Sequence, residues 1–241
     1  MNDELDHLLM SLHLKKVREL LPAALAAALS KQPDYEEFLL PLLRAQWHDR
    51  QEKALAWRIK RATLPELFAL ETFPFDSQPG VSRRQILAFA SLDFLATADN
   101  IVFIGDTGVG KSGLAIGILL KALQNGYSGS FIKAQDLFDE MYASLADRST
   151  RRFVNRLARI DLLVIDELSY INLKPEQANI FFKLVDERYA KKPTVITTNL
   201  EYEEWPNFLG NQLLTKGLLS RLRHNCHTIK IKGPSLRAPK R

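Results

Sequence analysis

The chain has 241 residues, 46% hydrophobic and 25% charged, with one cysteine, Cys226, a balance that fits a globular protein in a reducing compartment and excludes an intrachain disulfide or an all-cysteine zinc site. No apolar run approaches the roughly 18 to 20 residues that span a bilayer, and the start Met1-Asn2-Asp3-Glu4 is acidic where a secretory signal is basic, so neither membrane insertion nor export is expected and the location expected is cytoplasmic. The net charge of +5 is unevenly placed: Trp205 to Arg241 holds eight basic residues and no acid, leaving 25 basic against 28 acidic before it, which suits either a polyanionic partner or a solvated basic tail.

The first 72 or so residues read as helical. Leu5, Leu8, Leu9, Leu12, Val17, Leu20 and Leu21 recur at spacings of three and four, and an alanine-rich stretch follows from Ala23 to Leu29. After Pro33, Asp34-Tyr35-Glu36-Glu37 has the spacing of a capping box. The helix it opens is expected to bend near Pro41 and to reach about Arg61, with Thr63-Leu64-Pro65-Glu66 starting another. Its basic residues Arg44, Arg50, Lys53, Arg58, Lys60 and Arg61 form no single stripe. They are either a solvated face or a set of phosphate contacts, with Arg58, Lys60 and Arg61 as DNA-binding candidates.

Turn chemistry at Gln78-Pro79-Gly80 marks a change of pattern, and Ser82 with Gln85 repeats the capping-box spacing. Beyond it, short apolar runs alternate with longer helical stretches: Ile101 to Ile104, Ser130 to Ile132, Leu162 to Ile165 and Thr194 to Thr197. Runs without polar alternation suit strands buried on both faces. Helices between them imply an α/β fold with a parallel sheet flanked by helices. The expected division is a small helical N-terminal domain over 1–72 and a second domain over 73–241.

Gly105-Asp106-Thr107-Gly108-Val109-Gly110-Lys111-Ser112 matches G-x-x-x-x-G-K-[ST] in full, between a strand and a helix. The glycines let the backbone curl its N–H groups toward phosphates, at a helix N-terminus that favours anions. Lys111 suits the β- and γ-phosphates of ATP, and the Ser112 hydroxyl suits Mg²⁺. The strand Leu162 to Ile165 ends in Asp166-Glu167. There Asp166 can hold Mg²⁺ through its water shell, and Glu167 can polarise an attacking water. A third strand ends in Thr197-Thr198-Asn199, whose amide can orient that water. Between these, Arg148, Arg151, Arg152, Arg156 and Arg159 occupy a segment free of acids. Helical spacing puts Arg148, Arg152, Arg156 and Arg159 on one face, either solvated or facing DNA.

These residues resemble the IstB-like ATP-binding proteins, helpers of insertion-sequence transposases in the DnaC/DnaA-like branch of AAA+ ATPases. The likeness covers nearly the whole chain. It rests on Tyr35-Glu36-Glu37-Phe38-Leu39, Asp93-Phe94, the phosphate loop, Leu163 to Tyr170, Thr197 to Leu200, Glu204-Trp205, Leu218 to Leu222 and Ile229 to Arg237. The resemblance implies that Asn199 is a nucleotide sensor, that Arg221 is an arginine finger reaching a neighbouring subunit's ATP, and that Arg237 is a candidate second sensor. It further implies a homo-oligomer with ATP sites at subunit interfaces, double-stranded DNA and a transposase as partners, and control of target-site choice. Gly113 and Ser169 depart from the family's usual residues, and 42 residues after Asn199 are too few for a full helical lid domain. Other readings of the same core are a helicase loader of the DnaC type, a nucleotide switch that does not hydrolyse, and an RNA- or membrane-bound P-loop protein. Lys230, Lys232, Lys240 and Arg241 remain candidates for DNA phosphates.

Overall fold

The structure, a computed structural model, describes residues 2–169 and 173–237. Tyr170, Lys240 and Arg241 lie outside the described residues. The chain divides into two compact units, Met1–Trp57 and Arg58–Arg241.

The first unit holds α1 (Asp3–Ser11), α2 (Lys15–Lys31) and most of α3 (Tyr35–Ala62). Leu9, Val17, Leu21 and Leu42 form its small core, with Leu14, Leu20, Ala24 and Phe38 packed against them. The expected capping box is present: Glu37 N–H donates to Asp34 Oδ1 at 2.7 Å, and Asp34 N–H donates to Glu37 Oε2 at 3.2 Å. α2 lacks a cap of its own at Leu14. Gln46, buried on α3, supplies one from a distance, its Oε1 accepting from Lys16 N–H at 2.9 Å. α3 continues past Pro41 as one helix.

The break between the units falls inside α3, ahead of the 72/73 boundary that composition suggested. The last turn of α3 belongs with the second unit because its contacts lie there. Arg58 Nε donates to Leu123 O at 2.8 Å, Ala62 is fully buried, and Thr63 Oγ1 donates to Phe131 O at 2.7 Å. The helix expected to start at Thr63 does not form. Thr63 takes the left-handed conformation at φ 54° and spends its hydroxyl on carbonyls, and two 3-10 turns, Leu70–Thr72 and Phe75–Ser77, follow.

After α4 (Arg83–Ala88) and α5 (Asp93–Thr97) the chain enters a five-stranded parallel sheet. In chain order come β1 (Asn100–Gly105), α6 (Lys111–Gln124), β2 (Gly129–Lys133), α7 (Ala134–Ala146), α8 (Thr150–Ala158) and β3 (Leu162–Leu168). Then follow α9 (Pro175–Arg188), β4 (Thr194–Thr198), α10 (Trp205–Leu209), α11 (Gln212–His224) and β5 (Cys226–Ile231). The strand order is β2-β3-β4-β1-β5, every pair parallel. β5 was not among the expected strands. As an edge strand it buries only Ile229 and Ile231, so the sequence alternates instead of showing a continuous apolar run.

Alternate strand residues face opposite sides. Val102, Ile104, Leu163, Ile165 and Ile196 share one core with α7 to α11, including Phe138, Phe181 and Trp205. α6 packs on the sheet from the other side and buries nearly its whole length. Arg188, 2% exposed at the end of α9, ties this layer together. Its guanidinium donates to Leu157 O at 2.7 Å, Ile160 O at 2.8 Å, Thr194 Oγ1 at 3.0 Å and Pro193 O. It thereby joins the C-terminal end of α8 to the start of β4. Replacing it leaves those buried carbonyls unpaired at about 1–3 kcal/mol each. Arg188→Met is expected to lose about 3 kcal/mol in all and, for a domain of this size, to lower Tm by roughly 6–12 °C. A thermal melt unchanged to within about 2 °C would show that the carbonyls find other donors.

Candidate functional site

β1 delivers the chain at Gly105 into a loop that closes at α6. Gly108 and Gly110 sit at φ 89° and 99°, a region glycine enters without penalty. A Cβ on Gly110 would also lie 2.6 Å from the Phe73 ring. α6 begins without a side-chain cap, so the N–H groups of its first turn remain for a ligand. Lys111 turns back over the loop, its Nζ donating to Gly105 O at 2.7 Å and Asp106 O at 2.8 Å. Burial pulls its pKa below the ordinary lysine value, while the nearby carboxylates of Asp166, Asp106 and Glu167 oppose that shift and Arg237 reinforces it.

Facing Lys111 are the C-terminal ends of β3 and β4. Because β4 lies between β1 and β3, its end stands between the phosphate loop and the acids. Asp166 is 3% exposed and accepts from Thr197 Oγ1 at 2.5 Å, whereas Glu167 is exposed toward the cleft. The cleft has a volume of about 530 Å³, within the usual range for a small-molecule site. Thr107, Gly108, Gly110, Lys111, Ser112, Glu167 and Asn199 line its polar end, and Phe68, Phe73, Pro74 and Leu236 its apolar part. The sequence-derived residues of the phosphate loop, Glu167 and Asn199 are thus brought together, with Asp166 directly beneath. Gly105, Asp106 and Val109 shape the loop without lining the cleft. Ser112 and Asp166 offer hard oxygen donors, the kind Mg²⁺ takes beside phosphate and water.

The far wall is built by parts of the chain outside the phosphate loop and the acidic strand. Leu236 N–H donates to Gly108 O at 2.8 Å, and Arg237 also lines the cleft. Gln78, fully buried, donates through Nε2 to Val109 O at 3.1 Å and Pro234 O at 3.0 Å, clamping the C-terminal segment to the loop. Gln78 was marked only as part of a turn and Leu236 only within the resemblance, and neither these nor Phe73 signalled a wall of the cleft, since each acts across a long sequence separation. Gln78→Leu removes both hydrogen bonds, worth about 2 kcal/mol together, so amide exchange at Leu236 is expected to accelerate roughly 10- to 30-fold. Unchanged protection there would mean that the segment is held by its other contacts.

The basic candidates have mixed fates. Arg221 on α11 is half-buried, paired through Nε with Asp186 Oδ1 at 2.5 Å, bonded to Gly217 O at 3.0 Å and stacked over the Phe182 ring. Arg58 caps α6 through Leu123 O, as above. Lys60 and Arg61 are exposed at the end of α3. Arg148 does not share the helical face expected of it. It lies before α8 in a left-handed turn at φ 58°, because the helix starts only at Thr150. Arg156 pairs with Glu140 at 2.8 Å, Arg151 and Arg152 are exposed on α8, and Arg159 is exposed at its end. Lys230 pairs with Glu201 at 2.7 Å, and Lys232 is exposed.

A parallel sheet of this order, with the phosphate loop after β1, two acids at the end of β3 and an asparagine after the intervening β4, defines a P-loop domain of the AAA+ type. The chain belongs to the family described as IstB-like ATP binding protein, whose profile matches residues 7–241. It is 32% identical over 97% of its length to the insertion sequence IS21 ATP-binding protein of Pseudomonas aeruginosa, 88% of which is covered. Its fold is similar to a crystal structure of DnaI, with a TM-score of 0.59 and 19% identity over 68% of this chain and 91% of that one. It is likewise similar to a crystal structure of the DnaC helicase loader, with a TM-score of 0.56 and 22% identity over 68% and 96% of the two chains. Among the described residues, no helix is long and apolar enough to cross a membrane.

Proposed function

We propose that this protein is an ATP-hydrolysing AAA+ subunit that assembles with ATP on double-stranded DNA and there recruits or regulates a transposase. The observation that carries the reading is the convergence of Lys111, Ser112, Glu167 and Asn199 on one cleft, with Asp166 beneath. Membership of a family described as ATP-binding, and the insertion-sequence name of its relative, support the same substrate and setting.

The chemistry follows from the residues. The N–H groups of the phosphate loop and the first turn of α6 bind the triphosphate, and Lys111 leaves the loop carbonyls to meet the β- and γ-phosphates. Ser112 and Asp166 hold Mg²⁺, which when bound neutralises phosphate charge. Phe73, Phe68 and Leu236 give the base an apolar seat. Glu167 accepts the proton of a water whose oxygen attacks the γ-phosphorus. The bond from that phosphorus to the β–γ bridging oxygen breaks, and ADP leaves with the electron pair. Asn199 orients the water. Arg221, freed from Asp186, reaches the γ-phosphate of an adjacent copy, so turnover depends on assembly. The exposed arginines of α8, with Lys60, contact duplex phosphates. Over the sequence, the helices up to Trp57 serve as the N-terminal helical domain and Arg58–Arg241 as the ATPase domain.

The test is steady-state hydrolysis with and without duplex DNA. Glu167→Gln is expected to bind ATP normally and turn over at least about 100-fold more slowly, and Lys111→Ala to lose about 10- to 100-fold in nucleotide affinity. Duplex binding is expected to weaken steeply with salt, and Arg151→Ala with Arg152→Ala to flatten the log–log slope by about 2. Full turnover by Glu167→Gln would remove the hydrolytic reading. A marked preference for single strands would favour a loader of the DnaC type.

A further inference from the structure

The pairing of β3 with β4 is regular up to one point. Val164 and Ile165 stand opposite Val195 and Ile196, but the next matched pair is Leu168 with Thr198. Asp166 and Glu167 therefore share a single opposite number, Thr197, which is the definition of a bulge. The extra residue decides which side chain enters the core. Leu163 and Ile165 face the large core, and strict alternation would send residue 167 after them. Leu168 takes that place instead, and Glu167 is left facing the cleft. Glu167 is held at φ 58°, a left-handed conformation that residues with a side chain rarely adopt.

Thr197 is the group that meets this bulge. It is fully buried, and both functions of its hydroxyl are used there. Oγ1 donates to Asp166 Oδ1 at 2.5 Å and accepts from Glu167 N–H at 2.9 Å. Thr198 closes the far side, its hydroxyl donating to Leu168 O at 2.5 Å and accepting from Leu200 N–H at 2.9 Å. A hydroxyl is the side-chain group that can do this from Thr197: it gives a proton to the carboxylate and takes one from the next amide. Valine has the shape without either function.

We propose that Thr197 is a positioning residue for hydrolysis, locking the bulge so that the Asp166 carboxylate and the Glu167 carboxylate are presented together. It acts through the two acids and not on the nucleotide. The inference rests on the hydrolytic role given to Glu167 above.

The experiment compares full-length Thr197→Val, Thr197→Ser and Glu167→Gln in ATP turnover, in Kd for an ATP analogue without Mg²⁺, and in amide exchange at Glu167. Thr197→Val is expected to lower kcat about 10- to 100-fold, the scale of a small misplacement of a catalytic group. Its Kd without Mg²⁺ is expected to change less than about threefold, because the binding loop is untouched, and Glu167 amide exchange to quicken about tenfold or more. Thr197→Ser keeps the hydroxyl and is expected to restore both turnover and protection. Should Thr197→Val not fold, Thr197→Ala set against Thr197→Ser makes the same comparison. Normal turnover in Thr197→Val with an inactive Glu167→Gln overturns the role of Thr197 alone. Equal losses in the valine and serine variants overturn it too, since they point to packing. Normal turnover in Glu167→Gln overturns the hydrolytic reading on which the inference stands.

Discussion

β4 is wedged between β1 and β3, and the geometry of the cleft depends on that insertion. A parallel sheet brings all its C-terminal strand ends to one edge, and there the backbone loses its ladder partners. At that edge the strand ends of β3 and β4 are satisfied by side chains: the hydroxyls of Thr197 and Thr198 take over where regular pairing stops. Because those hydroxyls sit between the phosphate loop and the acidic strand, the same bonds that finish the sheet also aim the acids. The placement of Lys111 opposite Asp166 and Glu167 then needs no further device, and those carboxylates oppose the burial that holds the lysine pKa below its ordinary value.

How much of this was legible in the sequence follows the range of the interactions. The phosphate loop was readable because its glycines answer a local backbone demand, confirmed at Gly108 and Gly110 by their positive φ. β1, β3 and β4 were readable because burial on both faces leaves continuous β-branched and leucine runs, whereas β2, an edge strand that buries only Phe131, showed just a short apolar run. β5 was not readable, since an edge strand alternates and reads like its flanking loop. Thr197 was read only as the end of a strand, because nothing in Thr-Thr-Asn reveals a bulge one strand away. That Gln78, Phe73 and Leu236 meet as a wall was not legible for a similar reason: Leu236 meets Gly108 across most of the second unit's sequence. The end of α3 misled composition as well, since Arg58 and Ala62 continue the helical pattern, yet Arg58 donates to Leu123 O on α6 and Ala62 is fully buried.

Charge proved the least direct guide. The net +5 pointed to a polyanion, yet several of the cations behind it are engaged within the chain. Arg58 caps α6, Arg188 holds four acceptors, Arg156 pairs with Glu140, Lys230 with Glu201 and Arg221 with Asp186. What remains exposed on α8 is a smaller group, Arg151 and Arg152, with Arg159 at its end. The proposed DNA contact rests on these and on Lys60, not on the total. The Arg221–Asp186 pair has a separate consequence for the proposed mechanism: the arginine is held in place on α9 and α11 before any neighbour arrives, and must exchange one anionic partner for another.

The central claim is that an ATP site is completed by a second copy of the chain, and a mixing experiment tests it most directly. Glu167→Gln lacks the proton acceptor and Arg221→Ala lacks the arginine, so each alone should be inactive when assembled with ATP and duplex DNA. In an equal mixture about a quarter of head-to-tail interfaces pair an intact Glu167 with an intact Arg221. The expected result is recovery of hydrolysis to about that fraction of the wild-type rate. A mixture as inactive as its components, in assemblies shown to contain both, would contradict the account.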